Sequence, residues 1–491
     1  MMQFFGKKDK EDRPAIVLYN TLGKKKEEFV PLFGRNVKMY TCGPTVYDYA
    51  HIGNLRSYIF ADILRRTLEY RGYSVKQVMN ITDFGHLVQD ADDGEDKMTL
   101  ALKREGKAFT LENMKEVGER YAQAFFEDLK KLNVETPFAF PRASEHIPEQ
   151  IAYIQTLLDK GYAYRISDGV YFDVGKYPKY GVLGGSASRE HSRIGVSAEK
   201  HDPRDFTLWK SDPSMGWDSP WGKGFPGWHI ECTAMSTKYL GKSFDIHTGG
   251  IDHIAIHHNN EIAQAEAATG KPLARYWLHG AFITVEGKRI GKSEGNAIRL
   301  HQLEERGISP AAYRYLILTG HYRQTMNFTW EAVSAAKATL QKAMRVYLDL
   351  ATEKGGAGPG AVNASYRHRF ETVIDDDLNT AEAIAIMWGL LKDEKVSPAD
   401  RRATLEDYDR VLGFGFASST SALAGKIAVV SYTDLPEDIR VAVEAREKAR
   451  KTKHWQDADL IRDEVLRKGF TIEDTKDGPS VRRTDGEVPI S

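Results

Sequence analysis

Two cysteines in 491 residues are too few for a disulfide framework, and that scarcity fits a reducing compartment. Long apolar runs are missing as well, since none approaches the ~20 residues that a membrane span requires. The opening residues, MMQFFGKKDKEDRP, lack the apolar stretch and small-residue cleavage site of a secretory signal. A cytoplasmic location with no membrane partner is therefore expected. Neither sign of charge is in excess: 68 basic residues face 69 acidic ones, for a net charge of −1. Contact with nucleic acid is neither demanded nor excluded, and it must come from local patches. No internal repeat is visible. What the chain does have is 41% hydrophobic and 28% charged residues, enough for a large core, and a length that suggests about three domains.

The pattern of elements points to an α/β fold. Val37–Tyr40 reads as a short strand, and Gly43 and Pro44 punctuate the loop after it. Leu55, Ile59, Phe60, Ile63, Leu64 and Leu68 recur at helical spacing and stop before Gly72. Ser74–Ile81 reads as a second strand, and a connection this long between strands implies a parallel sheet. Helices are expected near Leu111–Leu132 and Ile151–Lys160. A stretch rich in Gly, Pro and Trp lies between Leu208 and Trp228. TEKGGAGPGAV at 352–362 reads as a linker, FASSTSALAG at 416–425 as another, and the chain between and after them as helical.

The segment HTGGIDHIAIHHNNE, His247 to Glu261, holds four of the chain's fifteen histidines. On a helix His257 and Glu261 share a face, so they can bind one ion or simply present polar groups to solvent. Both cysteines sit in suggestive places. Cys42 ends a predicted strand, and Cys232 lies in GWHIECTAM, fifteen residues before the histidine segment. Two thiolates, an imidazole and a carboxylate make a sensible zinc set. Two unrelated buried cysteines account for the same residues, because the ligands are spread over three segments without a local spacing signature.

A second group of residues suits a nucleotide. HIGN, His51–Asn54, sits where a strand has ended and a helix begins. Gly53 admits a ligand close to the backbone, and the helix N-terminus favours phosphate. His51 and Asn54 then donate to phosphate oxygens, or Asn54 merely caps the helix. GKRIGKSEGN, Gly287–Asn296, is either a basic phosphate clamp with Lys288, Arg289 and Lys292 as cations, or a solvated hairpin turn.

Taken in order, LYNTLGKKKEEFVP, YTCGPTVYDYAHIGNLRSYIFAD, NITDFGHL, PRDFTLWK, SPWGKGFPGWHIECTAMS, FDIHTGGIDHIAIHHNNEIAQAEA, HYRQTMNFTWEA, DDDLNTAEAI and AREKARKTKHWQDADLIRDEVLRKGFTIEDT resemble the cysteinyl-tRNA synthetases, a family of class I aminoacyl-tRNA synthetases. HIGN stands at the family's HIGH signature and RIGKS at its KMSKS loop. The resemblance implies a Rossmann-type catalytic domain with a parallel sheet, then an α-helical bundle and a small anticodon-binding domain. The expected divisions are 1–120 and 205–300 for the two catalytic halves, 121–204 for a connective insertion, 301–425 for the stem-contact and helical domain, and 426–491 for the anticodon-binding domain.

The same resemblance implies that Cys42, Cys232, His257 and Glu261 hold one zinc ion, with His258 a structural neighbour. It places Thr82, Trp228, His247 and Asp252 around the substrate L-cysteine. It assigns ATP to Gly43, His51, Gly53, Asn54, Lys292 and Ser293, with His51, Asn54 and Lys292 catalytic and magnesium accompanying the ATP. The implied reaction makes cysteinyl-adenylate and passes the cysteinyl group to tRNA-Cys. The basic run REKARKTK, Arg446–Lys453, is either part of the tRNA contact or a solvated helix face.

This sequence departs from the family pattern at Arg289, Ile290 and Gly291, which replace Lys-Met-Ser, and at Asn259, where many relatives carry an acid. Two rival readings stand beside the first. One is a ligase that passes the same adenylate to a small amine, as the shorter mycothiol-pathway relative does. The other is a catalytically silent paralogue that binds tRNA or nucleotide as a regulator.

Overall fold

A computed structural model of the chain describes residues 14–84, 97–184, 198–291, 295–356, 358–417, 430, 432–475 and 478–483. Its centre is a four-stranded sheet, ordered Ala274–Gly280, Phe244–Gly250, Asn36–Thr41 and Ser74–Met79, with every pair parallel. The predicted first strand gains one residue at each end, and the second stops two residues early. Both faces are covered, so even the polar residues of Phe244–Gly250 are buried and must find partners. Asp245 does so by accepting the backbone N–H groups of Leu32 at 2.5 Å and Lys38 at 2.8 Å.

The helix expected from Leu55 runs from Ile52 to Tyr70. Its apolar face packs into a core that extends without a break into the helical region, through Val333, Leu340, Phe370, Leu390 and Tyr408. Buried charges join the two parts. Asp62 accepts from Arg66 Nε at 2.8 Å and from the fully buried Arg314 at 2.6 Å, while Arg314 also donates to the carbonyl of Leu412. Gly413, in the left-handed conformation at φ 66°, ends the Pro398–Leu412 helix against that guanidinium. A Cβ there would lie 2.6 Å from Arg314.

Leu111–Lys131 forms as expected. The helix predicted from Ile151 starts earlier, at Ile147, with Pro148 in its first turn, where the missing N–H is no loss. The Gly-, Pro- and Trp-rich stretch carries strands Phe206–Ser211 and Gly224–Pro226 of an antiparallel four-stranded sheet. Glycine is needed in it because a Cβ at Gly224 would stand 2.0 Å from the Lys210 carbonyl. Between the helices Trp330–Thr352 and Ala364–Asp375 the described residues form neither helix nor strand, as the linker composition predicts. The second predicted linker lies outside the described residues from 418 onward.

The end of the chain corrects the all-helical expectation. After the helices Glu437–Lys451 and Trp455–Arg467, Phe470–Thr475 pairs antiparallel with Gly478–Arg483. Phe470, Ile472 and Val481 are drawn into a small separate core with Ile439, Val443 and Val465. A period-two strand pattern this short is hidden beside two long helical patterns.

Candidate active site and metal centre

A cavity of about 680 Å³ opens at the carboxyl ends of the parallel strands, where ligands bind in open α/β sheets. One end of its lining includes Cys42, Cys232, His257, Trp228 and Asp252. The other includes His51, Gly53 and Asn54, with Arg289, Ile290 and Gly291 overhanging, and Gly43 lies beside Cys42 in the same lining.

At the first end Cys42, Cys232, His257 and Glu261 bring one sulfur, nitrogen or oxygen atom each to within 4.8 Å of one another, all buried. His257 and Glu261 lie one turn apart on the helix His257–Thr269, with Nε2 3.1 Å from Oε1. Each is oriented from behind. His229 Nδ1 lies 2.9 Å from His257 Nδ1, leaving Nε2 for the cluster, and His247 Nε2 lies 2.9 Å from Glu261 Oε2. Such outer partners fix the tautomer and rotamer of a metal ligand. Burial works to raise the Glu261 carboxyl, but His247 and His257 outweigh it and lower it to about 2, so it is ionised as a ligand must be. Burial likewise works to lower His257, but Glu261 and Cys232 outweigh it and raise it to about 10, so metal uptake there displaces a proton. Burial pushes the Cys42 thiol up, whereas a hydrogen bond with Cys42 draws Cys232 down.

A second quartet meets the same distance limit: Cys42, His247, His258 and Glu261. His258 stands 3.3 Å from the Cys42 sulfur. Its other nitrogen is 2.7 Å from His279 Nε2, and His279 Nδ1 is 2.8 Å from the Thr21 hydroxyl. We favour the first quartet. Three of its members line the cavity, while His247 and His258 are buried outside the lining. The donor set also fits: two sulfurs, one imidazole and one carboxylate suit a borderline metal ion.

At the other end His51 and Asn54 cap the helix Ile52–Tyr70 reciprocally. Asn54 N–H donates to His51 Nδ1, and His51 N–H to Asn54 Oδ1, both at 3.2 Å. The capping expectation and the phosphate expectation therefore fall on the same two side chains. Gly43 N–H donates to Asn80 Oδ1 at 2.9 Å, and a Cβ at Gly43 would fall 1.6 Å from the Asn80 carbonyl oxygen. A Cβ at Gly53 would stand 2.9 Å from Ile290 Cδ1, so the overhanging loop rests on bare backbone. That loop grows from an antiparallel hairpin, Ile283–Val285 with Lys288–Arg289. Its two turn residues, Glu286 and Gly287, both have positive φ, as a primed turn requires. Lys292 and Ser293 lie outside the described residues.

Of the expected cysteine-pocket residues, Trp228 and Asp252 line the cavity, but Thr82 and His247 are buried outside the lining. Thr82 donates to Glu231 Oε2 at 2.7 Å. Trp228 packs on the His257 ring with centroids 4.3 Å apart. His229 and His279 are not among the residues the sequence marks out. Only His229 had a local signal, three residues before Cys232 on the helix Trp228–Leu240.

Residues 28–338 match the class I (C) tRNA synthetase catalytic domain, and residues 433–482 match the cysteinyl-tRNA ligase anticodon binding domain. The cysteine–tRNA ligase 1 of Burkholderia lata is 45% identical over 471 residues, spanning 94% of this chain and 96% of that protein. The cysteine–tRNA ligase of Thermus thermophilus is 42% identical over 486 residues, spanning 95% and 99%. Among solved structures, Mycobacterium tuberculosis methionyl-tRNA synthetase with methionyl-adenylate aligns at a TM-score of 0.54 and 15% identity, over 78% of this chain and 91% of that one, a likeness of fold. A catalytic-domain match over more than half the chain, joined by relatives above 40% identity along almost all of it, settles the kinship: the chain belongs to the cysteine–tRNA ligase family of class I aminoacyl-tRNA synthetases.

Proposed function

We propose that the protein is a cytoplasmic cysteine–tRNA ligase that activates L-cysteine with ATP and transfers the cysteinyl group to the 3′ end of tRNA-Cys. The observation that carries this reading is the buried quartet of two sulfurs, a nitrogen and an oxygen at one end of a cavity whose other end is a helix N-terminus. A thiol substrate and a triphosphate are the two ligands those ends suit.

In the first step the cysteine carboxylate oxygen attacks the α-phosphorus. The bond from that phosphorus to the bridging oxygen breaks, and pyrophosphate leaves. The N-terminus of the helix Ile52–Tyr70 favours the phosphates, and Gly53 lets them approach the backbone. His51 and Asn54 exchange their mutual cap for contacts to the triphosphate, and Lys292 and Ser293 are the ATP-binding residues that the family resemblance assigns beside them. This is electrostatic stabilisation rather than proton transfer. Cys42, Cys232, His257 and Glu261 would hold a zinc ion, which would supply a centre that takes a thiolate far more readily than a hydroxyl. Packing alone separates close analogues by only ~10–200-fold, so selection against serine rests on that donor set. Trp228, Asp252, Thr82 and His247 shape the pocket around the amino acid. In the second step the 3′-terminal ribose hydroxyl of the tRNA attacks the cysteinyl carbonyl and AMP leaves. The helical region carries the acceptor stem, and the small domain beyond residue 426 reads the anticodon.

Pyrophosphate exchange with cysteine, ATP and labelled pyrophosphate tests the first step, and charging of tRNA-Cys the second. Exchange that depends on cysteine and is poor with serine is expected. Exchange without charging favours transfer to a small amine. Absence of both favours a silent regulator.

A further inference from the structure

Asp377 lies in the elbow between the helices Ala364–Asp375 and Thr380–Lys392, far along the chain from the catalytic signatures. Its side chain is fully buried. It and Leu378 both adopt the left-handed conformation, each at φ 58°. Two consecutive residues with a Cβ rarely stand there unless their surroundings hold them, and such outliers gather where geometry serves function.

What holds Asp377 is a convergence of donors. Oδ1 accepts the Tyr19 N–H at 2.8 Å and the Tyr322 hydroxyl at 2.6 Å. Oδ2 accepts Arg323 Nε at 2.7 Å and lies 2.6 Å from a terminal guanidinium nitrogen of the same residue. His321 Nε2 lies 2.9 Å from the Asp377 carbonyl oxygen, and the Asp377 N–H donates to the Val17 carbonyl at 2.8 Å. Stability is a weak reason for such an arrangement, because well-packed apolar groups often replace a buried ion pair at no loss.

The gripped segment leads into the cavity. The Tyr322 carbonyl accepts the Ala281 N–H at 2.8 Å, and the Tyr322 ring stacks on Phe60 of the signature helix, with centroids 4.4 Å apart and planes 7° apart. Arg56 of that helix donates to the carbonyls of Phe282 and Gln324. Met326–Phe328 pairs in parallel with Ile283–Val285, the strand from which the basic hairpin grows. Ala281, Phe282, Ile283, Thr284 and Thr325 all line the cavity. One carboxylate in the helical region thus fixes the segment that supports the cavity wall and the root of the loop.

We propose that Asp377 is a positioning residue for adenylate formation: through Tyr322 and Arg323 it sets the height of the Ala281–Thr284 wall, and of the hairpin rooted in it, against the α-phosphate. The inference rests on the ligase reading above. It predicts a defect confined to the phosphate end, because the metal cluster is built on other segments, around Cys42, Cys232 and the histidine helix.

Rapid-quench measurement of adenylate formation on the full-length protein separates positioning from mere structure. The burst amplitude counts intact sites, and the burst rate constant reads the geometry of each. For Asp377→Asn the rate constant per site is expected to fall about tenfold or more while cysteine affinity stays within about twofold. A lower amplitude with a wild-type rate constant overturns the proposal. If Asp377→Asn does not fold, Tyr322→Phe and Arg323→Lys decide on the same criterion, with a fall of about threefold or more expected and an unchanged rate constant overturning it. Unchanged variants of an active wild type overturn this inference alone, whereas a wild type that forms no adenylate overturns the ligase reading and this inference together.

Discussion

Asn259 holds Leu183 across the back of the histidine helix. Its amide oxygen accepts the Leu183 N–H at 3.1 Å, and its amide nitrogen donates to the carbonyls of Ile254 at 2.8 Å and Gly184 at 3.2 Å. The departure from an acid at this position therefore has a local reason, since only an amide can accept and donate here. Asn259→Asp leaves those carbonyls without their donor, and should cost about 1–3 kcal/mol. Urea unfolding reads this directly, and an unchanged midpoint would contradict the account.

Asp128, on the helix Leu111–Lys131, gives a pH dependence. Burial, aided by Glu304 and Glu127 and opposed by Lys131, raises its carboxyl to about 7. The folded chain binds this proton more tightly than the unfolded chain does. The group's contribution to stability is therefore complete below about pH 4 and is lost as the pH rises to about 7. Asp128→Asn should stabilise the protein at about pH 8 by ~1–2 kcal/mol, a figure reduced for partial solvent screening. The gain should vanish near about pH 4. A constant difference across that range would show that the group does not titrate as described.

Purified protein should carry about one tightly held zinc per chain. Cys232→Ser replaces a soft donor with a hard one, so metal content and cysteine activation should fall together. Elemental analysis beside pyrophosphate exchange measures both. Full activity in a preparation verified to be free of zinc would remove the ion from the mechanism.

Lys292→Ala should slow adenylate formation by ~2–4 kcal/mol, the loss of one preorganised donor, while weakening ATP binding far less. Arg289→Lys should be nearly neutral, because Arg289 is exposed and its charge is retained. A wild-type rate of activation in Lys292→Ala would show that the loop is not the clamp.

Deleting residues after about 425 should spare adenylate formation and cripple tRNA charging. The final domain has its own core, built from Leu435, Ile439, Val443, Val465 and Phe470, separate from the core beneath the cavity. Equal loss of both half-reactions in a truncated protein with a native circular dichroism spectrum would contradict this division.

The parallel sheet and its first helix were legible because their signals are local: a short apolar run, then Leu55, Ile59 and Ile63 at helical spacing. His257 and Glu261 were legible as a pair for the same reason, because i and i+4 share a helix face. Their partners were not. Asp377 lies 54 residues from Arg323, and His279 meets Thr21 across 258, distances at which no periodicity carries a signal. The stretch between Leu208 and Trp228 shows in the sequence only as rich in Gly, Pro and Trp, because Gly224 and Gly227 answer to the carbonyls of a neighbouring strand rather than to a local pattern. Donor chemistry made the cysteines candidates to join the histidine helix, but no spacing signature tied them to it, and only the family resemblance chose that reading over two unrelated buried thiols. The structure brings them together independently, through the order of the strands.

Because Gly53 has no side chain, Ile290 comes down onto backbone, and the length of the residue at 290 becomes a doorstop. A longer side chain halts the loop higher and a shorter one lets it sink. An enzyme that must close to react and open to discharge its product trades one speed against the other. A ladder of variants at position 290 alone, from Ala through Val and Ile to Met, would act as a gauge of that trade, with each rung marking how firmly the door should shut.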